Sequence, residues 1–497
     1  MSEANGRSLT GSGGGEDGTL SQGRKSNNYF DGLHVTGMHK VIFFIIMMAY
    51  FFEQMDNWNF SFIAPAIFKS WGLTLAESNQ AMAHIIFWYF IGMTLGGFFG
   101  GIISDFMGRR KTFLLAILLF SSCSIINGLP IENLSLFILA RSLTGFGVFC
   151  LMVCSHTYIA EMAPAESRGK WQGLVAGVGF CAVPVIALLC RIIVPMSPEA
   201  WRFIFYFGGT GIIGFFIALR YLQESPRWLV SRNRLQEAET IVRNITGQDI
   251  DLSEAAKSVV PKISIGEVLS GMFQRKYIGR TLVLIIVFVG YTPATFTFTS
   301  WTGKLLSTIP VIDPATGQAM IDAVTGEAVM LYDQATMLTI MTLITCGVPV
   351  GCFLTSYISD KGGRKIPLMG TALCASAMAV LFALFYDHVY IAAVCGFLLS
   401  VFYMSCGFII SSYSAESYPT HMRNTAIGIH NSIARLSVSG FQYVIPVILA
   451  TFGGTVGLVN YDIPAVFITC AILFALPVPF VLFFGQRTGG RSLEDIS

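Results

Sequence analysis

Charged side chains are scarce in this sequence. Lys, Arg, Asp and Glu make up 12% of its 497 residues, whereas a soluble domain carries about 25%. The eleven cysteines are scattered and lack the paired spacing of metal ligands or of a disulfide framework, so we expect them to be small apolar fillers. No nucleophile–base motif or metal-ligand spacing is present, which disfavours an enzyme. We therefore expect no metal, no cofactor and no nucleic-acid partner.

Long apolar segments are abundant instead. Hydrophobic residues make up 54% of the chain, and the mean hydropathy is +0.64. A membrane-spanning helix needs roughly 20 mostly apolar residues, and its backbone groups must be hydrogen-bonded within the segment. The sequence therefore predicts an all-α membrane protein with twelve transmembrane helices in two pseudo-symmetric six-helix bundles. The predicted spans are approximately 40–63, 81–103, 112–130, 134–158, 170–194, 202–222, 278–301, 335–358, 366–386, 389–413, 425–449 and 462–484.

A charged motif occurs twice, which indicates that the two halves of the chain are related. The segment 103–110 returns as 358–365, and Tyr158 returns as Tyr413. Both repeats are offset by 255 positions (358 − 103 and 413 − 158). A chance similarity would not keep one register across both motifs. Internally repeated membrane proteins are most often transporters, because two similar bundles can move around a shared central site.

Basic residues are concentrated in the loops on one side of the predicted membrane, and the opposite loops carry little beyond Lys69, Arg202 and Lys304. Because basic loops stay in the cytoplasm, we expect a multi-pass protein of the cell (plasma or inner) membrane with both termini cytoplasmic. The predicted division is a disordered tail at 1–38, an N-terminal bundle at 39–222, a cytoplasmic linker at 223–277, a C-terminal bundle at 278–485 and a tail at 486–497.

An outer loop after the seventh predicted span contains an insertion at 311–331. Two tandem segments within it, which start at Asp313 and Asp322, each contain a Thr-Gly pair. These paired turns predict a small β-hairpin. Two interpretations of the insertion stay open: a tolerated surface insertion, or a gate or partner-docking element.

Ionisable residues inside predicted spans are costly and are functional candidates by default. Asp56 and Arg141 each lie about 7 residues, or roughly 10 Å, from the outer ends of their predicted spans. Equal depth and opposite charge predict a pair, with Asp56 as the proton-coupling acid; a static structural pair is the alternative. Glu53 lies on the same helix face as Asp56, so the two carboxylates are expected to titrate as a unit. A hydrogen bond from Glu53 to a neighbouring helix is the alternative.

Arg435 lies near the middle of the eleventh predicted span, without an acid in its own helix to neutralise it. The planar guanidinium of arginine suits a carboxylate, so we expect Arg435 to bind an anionic substrate, with a structural Arg–acid pair as the alternative. Further candidates for the substrate cavity are the aromatic and amide residues Trp58, Asn57, Asn59, Tyr291, Tyr403 and Gln442.

The repeated charged motif predicts a cytoplasmic gate. Charge pairs between its helices could hold the two bundles together while the site opens outward. The predicted gate residues are Asp105, Arg109, Glu161, Arg168, Asp360, Arg364, Glu416 and Arg423. Glycines spaced by four at Gly92, Gly96 and Gly100 predict a close helix contact.

These motifs resemble the major facilitator superfamily over about 40–485. The segment 101–110 is similar to its signature between the second and third helices, and 141–147 is similar to its fourth-helix signature. Glu224–Leu229 and Gly490–Glu494 resemble the sugar-porter branch.

The first predicted span resembles a sister branch. Glu53–Asp56, followed by Ala64-Pro65, is similar to the Asp-Gly-(aromatic)-Asp…Ala-Pro pattern of aromatic-acid and nicotinate-type proton symporters, with Glu53 in place of the first Asp. Ala434–Leu436 resembles the Gly-Arg-(Leu/Ile)-Gly of the same group. The resemblance implies coupling between an acid in the first helix and an arginine in the fourth.

The preferred hypothesis is a secondary active transporter that acts as a monomer and couples a proton to the symport of a small carboxylate. Its partners are then a small-molecule substrate, the proton and the lipid bilayer. Two alternatives stay open. A sugar or polyol transporter is supported by the segment 224–229, and a non-transporting membrane sensor would need a larger signalling tail than the dozen or so residues after the last predicted span.

Overall fold

The protein is described by a computed structural model. It covers residues 30, 35–253, 265–313, 316, 319–322, 328–359, 363–418, 420–452, 455–456, 459–460 and 463–486. The predicted tails at 1–38 and 486–497 lie almost wholly outside these residues, and the disorder expected for the first stays a prediction.

Twelve helical segments of the described chain are long and apolar enough to cross a membrane, which confirms the predicted architecture. We number them as spans 1 to 12. They extend over Gly37–Ser70, Leu75–Met107, Arg109–Gly128, Leu134–Met162, Ser167–Met196, Trp201–Tyr221, Ile278–Leu306, Gln334–Ile358, Lys365–Leu384, Val389–Glu416, Thr425–Phe452 and Ile463–Phe484.

Several spans are built from more than one helix. In span 5 a short 3-10 helix follows the long one, and the chain of span 11 breaks at Gln442 and Tyr443. Pro446 explains this break, because its ring cannot donate a helical hydrogen bond to the carbonyl of Gln442. The component helices are Ala165–Ile193 and Val194–Met196 in span 5, Trp201–Gly209 and Gly211–Tyr221 in span 6, Thr420–Phe441 and Val444–Phe452 in span 11, and Ile463–Ala475 and Pro477–Phe484 in span 12.

The first helix is longer than predicted, because it continues to Ser70 and not to residue 63. A turn at Gly72 then leads into span 2, where Thr74 and Glu77 form a capping box. Asp56 therefore lies 14 residues from the end of its helix (70 − 56), whereas Arg141 lies 7 residues from the start of span 4 (141 − 134). The predicted equality of their distances from the helix ends was wrong.

Close helix contacts repeat in the same register as the sequence motif. A Cβ atom on Gly92 or Gly96 of span 2 would lie 2.0 Å or 2.2 Å from a carbonyl oxygen of span 4. A Cβ atom on Gly347 or Gly351 of span 8 would likewise lie 2.3 Å or 2.5 Å from a carbonyl oxygen of span 10. Each of these glycines is 255 positions from its counterpart (347 − 92 and 351 − 96). The close contact expected at Gly92 and Gly96 is confirmed, and it is a property of both halves.

The polar segments between spans form small elements on the two sides of the protein. The linker between spans 6 and 7 contains the helices Pro226–Ser231, Leu235–Thr246 and Ile265–Met272; we call its side the linker side. The insertion lies on the opposite side, which we call the insertion side. There, antiparallel bridges join Pro310 to Met330, Ile312 to Ala319 and Ile321 to Ala328, as the predicted hairpin requires. A two-residue strand pair that was not predicted, Thr455–Val456 with Val459–Asn460, precedes span 12.

The two halves meet along spans 1 and 7, spans 2 and 11, and spans 5 and 8. Among the described residues, two side-chain hydrogen bonds cross between the halves. Lys304 donates to Asn79, and Arg191 donates to Thr339 at 2.8 Å. All four residues lie near the insertion-side ends of their helices. The Tyr443 ring adds contacts with His84 and Phe87 across the same interface. The halves are therefore closed together on the insertion side.

The glycine contacts predict a position-dependent effect of alanine. Gly96→Ala should lower the melting temperature of detergent-purified protein, because an added methyl group forces span 2 away from span 4 at a cost of about 1–3 kcal/mol. Gly101→Ala in the same helix is the control, since no atom lies within 4 Å of its Cβ position; alanine there should be neutral or stabilise the helix. Equal melting temperatures for both variants would contradict the close contact.

Candidate functional site

Asp56 is fully buried in span 1 and has a partner on each oxygen. Its Oδ2 accepts a hydrogen bond from Arg141 Nη1 of span 4 at 3.1 Å. Its Oδ1 accepts from Ser124 Oγ of span 3 at 2.6 Å and from Asn59 Nδ2 at 3.1 Å. The predicted pairing of Asp56 with Arg141 is confirmed, and its proton role stays a prediction.

Arg141 is as deeply buried as its partner, with 1% of its side chain exposed. Its guanidinium lies 4.5 Å from the ring centroid of Tyr89, and Phe60 and Phe205 flank it at 5.6 Å and 5.9 Å. Aromatic faces attract a cation that has lost its water. The arginine is therefore held by one carboxylate and a cage of rings.

Span 6 approaches the ion pair through a residue without a side chain. A Cβ atom on Gly208 would lie 3.0 Å from Asp56 Oδ1 and 2.9 Å from Ser124 Oγ. Any larger residue at this position would displace the carboxylate. Spans 1, 3, 4 and 6 of the N-terminal half therefore converge on Asp56.

Arg435 of span 11 has a similar aromatic cage but a different polar environment. Its guanidinium lies 4.7 Å from Phe296, 5.0 Å from Phe149 and 5.8 Å from Phe90, measured to the ring centroids. Phe90 and Phe149 belong to the N-terminal half, so the cage is assembled from both halves. Among the described residues, the buried Nη1 of Arg435 has no hydrogen-bond partner.

Glu53 of span 1 is a second buried acid of the N-terminal half. It is 1% exposed. Gln54 donates to Glu53 Oε1 at 3.4 Å, whereas Oε2 has no partner in the described part of the chain.

A small cavity lies between the halves, beside Arg141. Phe90 and Phe296 separate it from Arg435, and their rings make an edge contact at 4.7 Å. Spans 1, 2 and 4 contribute most of the cavity wall, and span 7 contributes the rest. The lining residues are Asn57, Trp58, Phe60, Ser61, Ile85, Ile86, Tyr89, Phe90, Arg141, Phe296, Thr299 and Ser300.

The remaining substrate candidates divide into two groups. Asn57 and Trp58 line the cavity, and Asn57 accepts a hydrogen bond from Tyr89 at 2.8 Å; their role in substrate binding stays a prediction. Asn59, Tyr291, Tyr403 and Gln442 do not line it. Three of them use polar atoms in hydrogen bonds within the protein, and the Tyr403 ring is buried. Asn59 donates to Asp56, Tyr291 donates to the carbonyl of Tyr403, and Gln442 accepts from Trp301.

Sequence reasoning missed the hydroxyl groups of the site. Ser124 was not a candidate, because a single serine in an apolar span gives no signal. The hydroxyls of span 7 do give one, since six Ser or Thr residues occur between Thr292 and Thr302, and two of them, Thr299 and Ser300, line the cavity. A dense polar stripe in an apolar helix is a feature that sequence can show.

Three of the four predicted gate charges of the N-terminal half form a cluster on the linker side. Arg109 binds Glu161 through Nη2 at 2.9 Å and Nε at 3.0 Å, and its Nη1 binds Asp105 at 2.9 Å. All three residues lie in spans 2 to 4. These bonds join three helices of one half.

The C-terminal half repeats the main pair of this cluster. Arg364 binds Glu416 at 2.9 Å, which matches Arg109 and Glu161 at the 255-residue offset. Gly363 and Gly108 precede the two arginines with φ angles of +78° and +96°, which glycine adopts without strain. Asp360 lies outside the described residues. Arg423 donates to the carbonyl of Tyr418, and Arg168 is not paired with a gate acid among the described residues.

The linker begins by binding the N-terminal cluster. Glu224 Oε1 accepts from the backbone N–H of Arg109 at 2.8 Å and of Arg110 at 3.1 Å, at the first residues of span 3. Trp228 Nε1 donates to the carbonyl of Asp105 at 2.7 Å. Partial burial raises the pKa of Glu224, and the backbone N–H groups oppose this effect.

Comparison with known proteins places these features in context. A family model described as the Major Facilitator Superfamily matches residues 46–441. The Bacillus subtilis (strain 168) protein YyaJ, whose name provisionally describes it as a metabolite transport protein, is 28% identical over 94% of this chain and 96% of its own length. The niacin transporter NiaP of Acinetobacter baylyi is 24% identical over 94% of this chain and 98% of its own.

Solved structures with the same fold include the xylose transporter XylE from E. coli in a partially occluded inward open conformation. The TM-score is 0.69 at 17% sequence identity, and the similarity covers 91% of this chain and 99% of that one.

Removal of one member of the buried ion pair should be more damaging than removal of both. Arg141→Met leaves the Asp56 carboxylate buried without its cation, and we expect a loss of about 3–5 kcal/mol. The double variant Asp56→Leu with Arg141→Met should recover part of that stability. Thermal unfolding of purified protein measures both effects. Arg234→Met is the control, because its pair with Glu237 is exposed and contributes at most about 1 kcal/mol. The pairing would be contradicted if the double variant lost as much stability as Asp56→Leu and Arg141→Met lose together.

Proposed function

Since this chain belongs to the Major Facilitator Superfamily and is a multi-pass membrane transporter, we propose that it is a proton-coupled symporter of a small organic carboxylate. The substrate class comprises aromatic and nicotinate-like acids, and the protein works as a monomer by alternating access. One observation carries the proposal: the site contains two caged arginines, and among the described residues Arg141 has a carboxylate partner whereas the buried Nη1 of Arg435 has no hydrogen-bond partner.

The unpaired arginine supports an anionic substrate. A buried guanidinium is costly unless it is paired, and the Arg435 cage supplies attraction to the ring faces but no acceptor for Nη1. A substrate carboxylate would supply that acceptor. The niacin named for the Acinetobacter relative is itself a small aromatic carboxylic acid, which agrees with this class.

The paired arginine supports proton coupling. Protonation of Asp56 would remove the charge that holds Arg141 and would weaken the bonds that Ser124 and Asn59 donate to it. Because spans 1, 3, 4 and 6 meet at this carboxylate, a proton there can change how four helices pack. The alternative, a static pair, would leave these helices in one arrangement.

The arrangement of contacts supports a site that opens toward the linker side. Among the described residues, the side-chain hydrogen bonds between the halves lie on the insertion side, and Arg109 and Arg364 each bind a glutamate of their own half. We place the linker side in the cytoplasm of a cell-membrane protein, because its loops carry most of the basic residues. The described state is then inward-facing. In the outward-facing state the same motif charges hold the linker-side ends of the halves together.

A sugar or polyol substrate is the second candidate. The segment Glu224–Leu229 favours it, and so do the neutral hydroxyl and amide groups of Ser61, Asn57, Thr299 and Ser300 in the cavity, which suit sugar hydroxyls. This candidate leaves Arg435 without a function.

Substrate class is testable by ligand stabilisation. Benzoate and nicotinate should raise the melting temperature of the purified protein, whereas xylose and glucose should not. At a ligand concentration of one hundred times Kd, the free energy of unfolding should increase by about 2.7 kcal/mol. Arg435→Ala should remove the effect of the acids. Stabilisation by sugars alone, or by acids irrespective of Arg435, would contradict the carboxylate proposal.

Proton coupling is testable in vesicles. Asp56→Asn should abolish accumulation of radiolabelled nicotinate driven by an inward proton gradient, because asparagine cannot carry the proton. Exchange of labelled for unlabelled nicotinate without a gradient should persist, which shows that the variant is folded and binds. Asp387→Asn, at an exposed acid in the loop before span 10, is the matched control. Gradient-driven accumulation by Asp56→Asn at the parent level would exclude Asp56 as the proton carrier.

A further inference from the structure

Two aromatic rings form a wall between the cavity and Arg435. Phe90 and Phe296 both line the cavity, and their ring centroids lie 5.8 Å and 4.7 Å from the Arg435 guanidinium. The two rings contact each other edge to face at 4.7 Å. Phe149 lies 5.0 Å from the same guanidinium but does not line the cavity. A solute in the cavity can therefore reach Arg435 by displacing one of the two wall rings.

This wall is the floor of the cavity on the linker side. In span 7 the lining residue Ser300 follows Phe296 toward the insertion-side end of the helix. In span 2 the lining residue Ile86 precedes Phe90 toward the insertion-side start. The cavity therefore lies on the insertion side of both rings. Because the halves are closed together on the insertion side, a solute that leaves toward the linker side has to pass this floor.

Phe296 is the least enclosed of the three rings around Arg435. Phe90 and Phe149 are 2% and 3% exposed, whereas Phe296 is partly exposed. Phe149 also packs directly on span 2, since a Cβ atom on Gly97 would lie 2.4 Å from its ring. Phe296 therefore has the most freedom to change its position.

Span 7 is able to bend just before Phe296. Pro293 lies inside this helix and removes one of its backbone hydrogen bonds. Before the proline, a Cβ atom on Gly290 would lie 2.8 Å from a carbonyl oxygen of span 12. After it, a Cβ atom on Gly303 would lie 2.8 Å from a carbonyl oxygen of span 1. Span 7 is thus packed against one half on each side of Pro293, so a movement between the halves would shift the segment that carries Phe296.

We propose that Phe296 controls this floor: its ring covers Arg435 while the cavity is empty, and the substrate carboxylate displaces the ring when it binds the guanidinium. This inference rests on the proposed function, because it takes Arg435 as the anion site. A carboxylate is a stronger partner for a guanidinium than an aromatic face is. Binding therefore supplies the free energy that opens the floor, and the substrate then passes to the linker side.

Passage through the floor is measurable without a substrate. Ser300→Cys places a thiol at the cavity, and a membrane-impermeant methanethiosulfonate is added to vesicles whose linker side faces the medium. Mass spectrometry counts the modification at position 300 separately from that at the native cysteines. Phe296→Ala in this background should raise the modification rate about tenfold, since the contact of a ring with a desolvated guanidinium corresponds to about that factor.

Phe149→Ala is the matched control for this measurement. It removes a ring from the same guanidinium, but that ring does not line the cavity, so the substitution should not accelerate the modification. Phe296→Leu is a second variant that keeps most of the side-chain volume and removes only the ring face. It should raise the rate by less than Phe296→Ala does.

Nicotinate binding tests whether the carboxylate and the ring compete for Arg435. Calorimetry on the purified full-length protein should show that Phe296→Leu binds nicotinate about threefold to tenfold more tightly than the parent, because the closed state no longer reduces the apparent affinity. Phe149→Leu should not tighten binding. The gain should disappear when Arg435→Met is added.

The two measurements distinguish this inference from the proposed function. Modification rates that stay at the parent level in both Phe296 variants, or an equal acceleration by Phe149→Ala, would overturn the floor alone, since no substrate is present. Nicotinate binding that is unchanged or weaker in Phe296→Leu would overturn displacement of the ring by the carboxylate. Absence of nicotinate binding in the parent, or binding that Arg435→Met leaves intact, would overturn the proposed function, while the modification rates still report on the floor.

Discussion

The ion pair between Asp56 and Arg141 is the interaction on which the N-terminal half depends. Both groups are buried in the middle of the protein, where an isolated charge would be strongly unfavourable. The structure meets this constraint with Ser124, Asn59 and an aromatic cage, and it keeps Gly208 free of a side chain so that span 6 can approach the carboxylate. Four helices of the N-terminal half therefore pack around one carboxylate.

The chemistry is asymmetric although the scaffold is repeated. The glycine contacts of spans 2 and 8 and the arginine–glutamate pairs on the linker side occur in both halves at one offset. The two buried arginines do not follow this register, because Gly396 lies 255 positions after Arg141 and Phe180 lies 255 positions before Arg435. Arg141 has its acid within its own half, whereas Arg435 is caged across the interface. The repeated elements build the two bundles, and the unrepeated ones build the site between them.

The linker is part of this mechanical arrangement. Glu224 binds the first backbone N–H groups of span 3, and Trp228 binds the carbonyl of Asp105. The linker therefore contacts the N-terminal charge cluster on the linker side. An anion at a helix N-terminus is favoured by the free N–H groups there. These bonds hold the linker against the N-terminal half.

Sequence alone determined the twelve spans, the internal repeat and the pairing of Asp56 with Arg141, because hydrophobic length, register and the cost of a buried charge can each be read from local sequence. It placed the end of span 1 wrongly, since a helix can continue beyond its apolar stretch until a capped turn stops it. Tertiary structure decided which side chains face one another. Ser124 reaches Asp56, Asn59 turns to the carboxylate and away from the cavity, and Phe90 and Phe149 enclose Arg435 from the other half. These relations depend on the rotation and separation of helices that are distant in sequence, and backbone contacts at glycine set that separation.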